Sequence, residues 1–541
     1  MISTGIRRAG LVTAAVAVGL ATTAGAYGAT SVRSSAERGA AAGTLVIDLS
    51  FEIKTGDPQR AFEPTASILD RGVYDTLLTY KGSDVAHPVP LLARSYAASA
   101  DARTYTFFLK KTAHFADGTP LTSADVVFSF NRLINLKGNP SFLLDGVTVA
   151  PLGQYAVVLR SKRPNTALPA IVANTSLGIV NSKLVKKHGG TSAANASTAD
   201  KAEQFLNSPA SAGAGSGPYL LKQYSTTSQI VLTPNRRYWG PYKPKWSSVV
   251  VRNMIAPTQL INIQRGAHEV AIDLSADQAQ SIKGNSRLQV VLTPSTWVFW
   301  LFTNNNQDIS KISSNRHFQR AVRYAIDYRS VVGVGGPGTI QAPGIIPSMF
   351  LGSLPQKDRA KQDVVKAKSE LAASGLASQK ITLEYPSDLT INGVPFASMA
   401  QKIQANLTSA GFNVDLGGST VGTWLQKYRD GKMAFGLSLW GPDYPDPADY
   451  LAFLPGELVG VRAGWPAGSD PALESLGAKV RVTANPRTRV RLYRRIQQKL
   501  NADGPFIPLI QPTQVFVATR DLKGATFNSQ YQIDVTRVAP K

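Results

Sequence analysis

The chain has 541 residues, 43% of them hydrophobic and 17% charged, which is apolar material for more than one core and too little charge for a disordered polymer. It contains no cysteine, which excludes disulfides and the lipid-modified cysteine of a lipoprotein, so stability has to come from core size. The net charge of +23 is spread along the whole sequence, with no basic arm and no nucleic-acid motif, so no nucleic-acid partner is expected.

In chain order, Arg7 and Arg8 precede the uncharged apolar run Ala9–Ala21, and Ala24-Gly25-Ala26 follows with the small residues that a signal peptidase cuts after. Residues 1–26 therefore read as a signal peptide. The alternative is an uncleaved anchor, which Thr22, Thr23 and the glycines weaken. The arginine pair permits the twin-arginine route as well as the general one. Residues 27–43, rich in Ala, Gly and Ser, read as a flexible leader. No later segment is apolar enough to span a bilayer, so the mature chain is expected to be soluble, exported to the periplasm or cell exterior.

Folded structure is expected from Thr44-Leu45-Val46-Ile47-Asp48. A strand is predicted at Thr104–Leu109, a turn-rich loop at His114–Pro120, and a capping box at Thr122–Asp125 opening a helix over Val126–Leu133. Residues 189–217 read as an extended surface loop, and strands follow at Pro218–Tyr224 and Gln229–Thr233.

The clearest pattern lies between 381 and 440. Strands at Ile381–Tyr385, Phe412–Leu416 and Ala434–Leu439 alternate with helices at Phe396–Ser409 and Gly422–Asp430. That alternation predicts an α/β lobe with at least partly parallel strands, whose ligands bind beyond the carboxyl ends of strands. The segment after the last strand is Trp440-Gly441-Pro442-Asp443-Tyr444-Pro445-Asp446-Pro447-Ala448-Asp449-Tyr450, a proline-stiffened loop of aromatics and carboxylates suited to a ligand. Further on, Arg487, Arg489, Arg491, Arg494, Arg495 and Lys499 share a helix with Leu492, Ile496 and Leu500, and they read as a solvated outer face. The other reading is a docking surface for a partner or an anionic envelope.

Other chemistries find less support. His87, His114, His188, His268 and His317 are too scattered for a metal-ligand spacing, so no metal or cofactor is expected. Gly333-Val334-Gly335-Gly336-Pro337-Gly338 fits GxGxxG, but it follows a predicted helix and runs toward Pro343, so it reads as a flexible cleft loop. Neither a phosphate loop nor a GxSxG elbow is present, and no catalytic residue is assigned. Asp443, Asp446 and Asp449 leave open an exported glycosidase or peptidase as the alternative function. A basic protein that binds the envelope is a third.

Several segments, in order, resemble the peptide/nickel-type extracellular solute-binding proteins of ABC importers. They are Gly72–Leu78, Pro90–Ala93, Tyr105–Leu109, Phe115–Ser129, Gly215–Tyr219, Asn235–Trp239 and Phe318–Asp327. The resemblance implies an α/β, bilobed clamshell of the periplasmic-binding-protein type, with an extra subdomain in the first lobe. The first lobe would cover 44–295, the second 296–511, and residues 512–541 would return to the first, with hinges near 295 and 511. It also implies a non-enzymatic, monomeric receptor that delivers a peptide or peptide-like solute to membrane permease subunits. In peptide-binding members an aspartate shortly after the loop tryptophan holds the ligand's ammonium. Asp443 after Trp440 matches that position, with Trp440, Tyr444 and Trp424 as surrounding aromatic surface. The loop Pro386–Gly393 lacks the arginine by which dipeptide-type members hold a carboxylate, which favours longer peptides or a ligand uncharged at that end.

Overall fold

The computed structural model describes residues 42–541. The expected signal segment, its cleavage site and nearly all of the leader lie outside the described residues.

The strand Ala42–Leu49 begins the first large sheet, running parallel to Trp246–Asn253 on one side and Glu269–Ala271 on the other. Leu45, Ile47 and Leu49 are buried with Asp48. A strand flanked on both sides by others reads as a near-continuous apolar run for that reason. The sheet has seven strands, and Thr513–Thr519 enters it between Glu269–Ala271 and Leu288–Pro294. The last residues stay with this sheet. Ile533, Val535 and Val538 share its core, and Arg71 meets Asp534 at 3.2 Å with both side chains buried.

The second large sheet has six strands. Its central strand, Val298–Thr303, is buried throughout and lies antiparallel to Phe435–Trp440 and Phe506–Gln511. Beside them Lys380–Pro386 pairs in parallel with Asn413–Ser419. The alternation expected between 381 and 440 is present, with helices at Phe396–Ser409 and Val421–Arg429. Met399, Ala400, Ile403 and Leu407 form the buried stripe of the first of these helices.

A smaller antiparallel sheet packs beside the first. It comprises Ala93–Ala98, Thr104–Leu109, Ala156–Ser161 and Val147–Pro151. The helix Ser123–Leu136 covers it, starting at Thr122, whose N–H donates to Asp125 Oδ2 at 3.0 Å. That helix carries Arg132, which is fully buried. All five guanidinium hydrogens are used: Nε and Nη2 donate to Asp200 at 2.8 Å, Nη1 and Nη2 to Asp57 at 2.7 and 2.6 Å, and Nη1 to Gln59 at 2.9 Å.

The chain passes between the two large sheets at adjacent points. Ser295 N–H donates to Pro512 O and Gln511 Nε2 donates to Ser295 O, both at 2.8 Å.

Three local expectations are corrected. Residues 189–217 do not form an extended surface loop; they make short helical turns at Ala196–Ala199, Glu203–Leu206 and Pro209–Gly213. Ala196, Ala202, Leu206 and Ala214 are buried there, because small side chains let the backbone pack closely while Asp200 reaches Arg132. The GxGxxG segment is not wholly a loop: Gly333 and Val334 close the helix Tyr328–Val334, and only the later glycines meet neighbouring side chains. Gly338 has φ +83°, and a Cβ there would stand 2.9 Å from Thr513 Oγ1 and 3.2 Å from Leu292 Cβ. The arginine helix, Pro486–Asp503, does expose Arg487, Arg491, Arg494 and Arg495. Arg489 instead points inward and is 8% exposed.

Candidate ligand-binding site

The strand Phe435–Trp440 ends in a loop where Pro442, Pro445 and Pro447 remove the backbone donors a ladder would need. Gly441 permits a close approach, since a Cβ there would come within 2.5 Å of the Trp297 ring. The chain then makes a short 3-10 turn, Pro447–Phe453. Asp446 caps it, accepting from Ala448 N–H at 2.8 Å, and also pairs with Arg489 Nη2 at 2.7 Å. Asp446 is thereby committed to holding the loop's shape.

Asp443 and Asp449 are placed differently. Asp449 is 7% exposed, and its Oδ2 accepts from Trp440 Nε1 at 2.8 Å and from Asp443 N–H at 3.3 Å. Asp443 makes its hydrogen bonds through the backbone alone, its carbonyl accepting from Asn174 Nδ2 at 3.2 Å. Asn174 caps the turn Thr175–Leu177, whose Leu177 lies in the core of the smaller sheet, so this bond ties the loop to that core. Among the described residues neither carboxylate has a lysine or arginine at ion-pair distance. Burial pushes the Asp443 carboxyl up to about 6. Burial raises Asp449 well above the usual carboxylate range, and the neighbouring Asp443 charge adds to it.

The aromatic residues divide into two groups. The Trp440 ring meets Phe453 edge-on at 5.7 Å, and Tyr444 packs against the first lobe's core, which holds Phe107, Phe130 and Leu143. Trp440, Asp443 and Tyr444 thus come together on one loop between the lobes. Trp424 lies inside the second lobe's apolar core, 4% exposed and stacked on Tyr428 at 5.2 Å, its Nε1 buried without a partner. A hollow of about 300 Å³ opens beside Tyr444, with Lys162, Arg163 and Thr166 on the first-lobe side and Ala448 and Arg481 on the second.

The loop Pro386–Gly393 runs into a tight hairpin, Thr390–Pro395, in which Asn392 and Gly393 take φ values of +51° and +77°. Asn392 Nδ2 donates to Gln514 Oε1 at 3.0 Å, tying it to the strand Thr513–Thr519. The histidines stay apart, with His317 on Glu370 and His87 on Asp84, and the described residues hold no group of three or more metal-ligating side chains. Sequence reasoning did not single out Asn174 or Trp297. Asn174 caps its own turn by accepting from Ser176 N–H at 2.9 Å, so its local signal is that of a cap.

Comparison with known proteins places this geometry. The chain is 28% identical over 496 residues to the probable D,D-dipeptide-binding periplasmic protein DdpA of Escherichia coli (strain K12), covering 90% of this chain and 91% of that one. It is 24% identical over 525 residues to the dipeptide-binding protein DppE of Bacillus subtilis (strain 168), covering 90% and 89%. Its fold superposes on HbpA2 from Haemophilus parasuis with a TM-score of 0.78 at 20% identity, over 92% of this chain and 100% of the other. The profile of the bacterial extracellular solute-binding proteins, family 5, matches residues 87–457. The chain belongs to that family of bacterial extracellular solute-binding proteins.

Proposed function

We propose that this protein is the exported substrate-binding component of an ABC importer, capturing a free-amine peptide or peptide-like solute between its lobes and delivering it to the permease. The observation that carries the reading is the Asp443 carboxylate, which stands without a cation partner on a loop that touches both lobes. A carboxylate in a cleft that excludes water attracts an ammonium more strongly, because the local dielectric falls. Trp440 and Tyr444 flank it with aromatic surface suited to a cation and its apolar attachment. Lobes covering 44–295 and 296–511, with 512–541 returning to the first, fit the strand membership of the two sheets, and the bonded crossings at Ser295 and Gln511 are the proposed hinges.

A carboxylate pair for hydrolysis is the weaker reading, because the family is one of binding proteins. The two readings separate on incubation with peptide and sugar libraries, where stoichiometric binding without turnover is the expected result. Mass spectrometry of material co-purifying with the native protein identifies the ligand, and a ligand without a primary amine would overturn the Asp443 reading. Export predicts a mature N-terminus near Tyr27 or Thr30, without lipid. Terminal sequencing of secreted protein that began at Met1 would refute it.

A further inference from the structure

The helix Pro486–Asp503 buries Leu492, Tyr493, Ile496 and Leu500 and exposes Arg487, Arg491, Arg494 and Arg495. Steps of four and three put these arginines on one face, within about 12 Å along the axis. Like charges so placed repel one another unless something negative lies against them. Among the described residues no carboxylate does so. The helix's other two cations are paired, Arg489 with Asp446 and Lys499 with Asp470. Elsewhere in the second lobe exposed lysines are paired too, Lys380 with Asp415 and Lys432 with Asp430. Between Glu474 and Asp503 the sequence has eight basic residues and no acidic one. Arg494 Nε donates to Ser353 O at 3.2 Å and Arg491 Nη2 to Thr488 Oγ1 at 3.3 Å, contacts that steady the side chains and leave their charge uncompensated. Ser353 leads into a second exposed stretch with Lys357, Arg359 and Lys361, where Asp358 is the one acidic residue.

We propose that this face is a docking surface for an anionic phospholipid bilayer, which holds the receptor at the membrane by electrostatic adsorption. Guanidinium suits a headgroup phosphate because its planar fork donates two parallel hydrogen bonds. A protein partner would want an apolar anchor among the charges. None of the exposed large apolar side chains among the described residues lies on this helix or between Ser353 and Lys361. The same surface offers no aromatic platform for the bases of a single strand, and nothing to insert between acyl chains, so attachment is by charge and salt reverses it. The chain has no cysteine to carry a lipid. On the exported-receptor reading, on which this setting rests, adsorption supplies the nearness to the membrane that a lipid would. Every residue of the face belongs to the proposed second lobe, so closure leaves the contact undisturbed.

The probes are vesicles of phosphatidylcholine alone and of phosphatidylcholine mixed with phosphatidylglycerol, sedimented with the whole protein. The expected result is binding to the mixed vesicles alone, lost at about 1 M salt, where the screening length falls to about 3 Å. Arg487→Gln, Arg491→Gln, Arg494→Gln and Arg495→Gln together should weaken it about a hundredfold or more, at roughly fivefold per charge. Lys357→Gln, Arg359→Gln and Lys361→Gln together leave the helix intact and should weaken it about tenfold or more. Lys111→Gln, Lys187→Gln, Lys222→Gln and Arg236→Gln together remove four exposed charges from the first lobe and should change binding less than about threefold, since charges beyond a screening length count little. Binding to neutral vesicles as well, or equal loss in the first-lobe variant, overturns the surface. Binding to soluble polyphosphate but to no vesicle overturns the membrane assignment in favour of a free polyanion. Vesicle binding does not depend on which solute the cleft takes, so its failure leaves the receptor reading standing; that reading fails separately, by turnover of the peptide or sugar libraries.

Discussion

Arg132 with Asp57 and Asp200 forms a buried, closed charge cluster, whereas the partly buried Asp443 and the buried Asp449 form an open one. In the first lobe five guanidinium hydrogens meet Asp57, Asp200 and Gln59, so the desolvation cost is offset within the cluster. In the interlobe loop two carboxylates meet a tryptophan N–H and a backbone N–H, with no positive charge at ion-pair distance among the described residues. On the proposed reading, the difference separates a structural cluster from a ligand-binding one. A satisfied network fixes a fold, whereas an unsatisfied one is completed by a ligand or a proton.

The comparison breaks most visibly at Arg132. Arg132→Met leaves the buried Asp57 and Asp200 with only the partly exposed Arg60 as cation partner and should cost about 3–5 kcal/mol in denaturant unfolding; a loss below about 1 kcal/mol would show that the network does not depend on Arg132. Its pH signature is also set. Burial opposes ionisation of Asp200, but the Arg132 hydrogen bonds and charge hold its carboxyl down to about 2. A depressed carboxyl stabilises the fold above its unfolded value of 3.8, and that contribution is lost as pH falls from there through about 2. Arg132→Met should therefore raise the midpoint of acid unfolding.

Asp443→Asn tests the open cluster. It keeps the size and removes the charge, so affinity for the native ligand should fall about ten- to a hundredfold by calorimetry, the equivalent of ~1.5–3 kcal/mol, with the fold intact. Wild-type affinity in this variant would end the anchor role. The same substitution should have the opposite effect on the ligand-free protein. A carboxyl raised to about 6 stabilises the fold most below its ordinary value of 3.8, and the contribution is lost as pH rises through about 6. Apo Asp443→Asn should therefore melt about 2 °C higher than wild type near pH 7.5, with the gap closing toward pH 4. An Arg132 variant should show no such trade between affinity and stability.

The smallest effect is geometric. If the open cluster is completed by ligand, saturation should compact the molecule and raise its melting point by mass action, about 2.7 kcal/mol at a ligand concentration of 100 Kd. An unchanged radius of gyration in solution scattering would count against hinge closure at Ser295 and Gln511.

Local signals determined a good part of this protein. Thr104–Leu109 and Phe396–Ser409 stand where their apolar periods of two and 3.6 put them, and Thr122 opens its helix as its spacing from Asp125 requires. The loop from Trp440 stands out in the sequence as the proposed ligand platform because prolines, aromatics and acids so seldom serve a core together. Tertiary structure decided the rest. Asp200 looked like one polar residue in a small-residue loop until Arg132, distant in sequence, gave it a buried partner. Arg489 shares its helix with the exposed arginines and differs only in facing Asp446. Asp443, Asp446 and Asp449 are the same residue type at three-residue spacing, and their separate roles came from what approaches each of them. Arg489 arrives from a later helix, Asn174 from a turn against the smaller sheet's core and Trp440 from the strand below. Periodicity reports which face of an element is buried, but the charge and hydrogen-bond partners of a buried carboxylate arrive from elsewhere in the chain, and only the folded arrangement sets them.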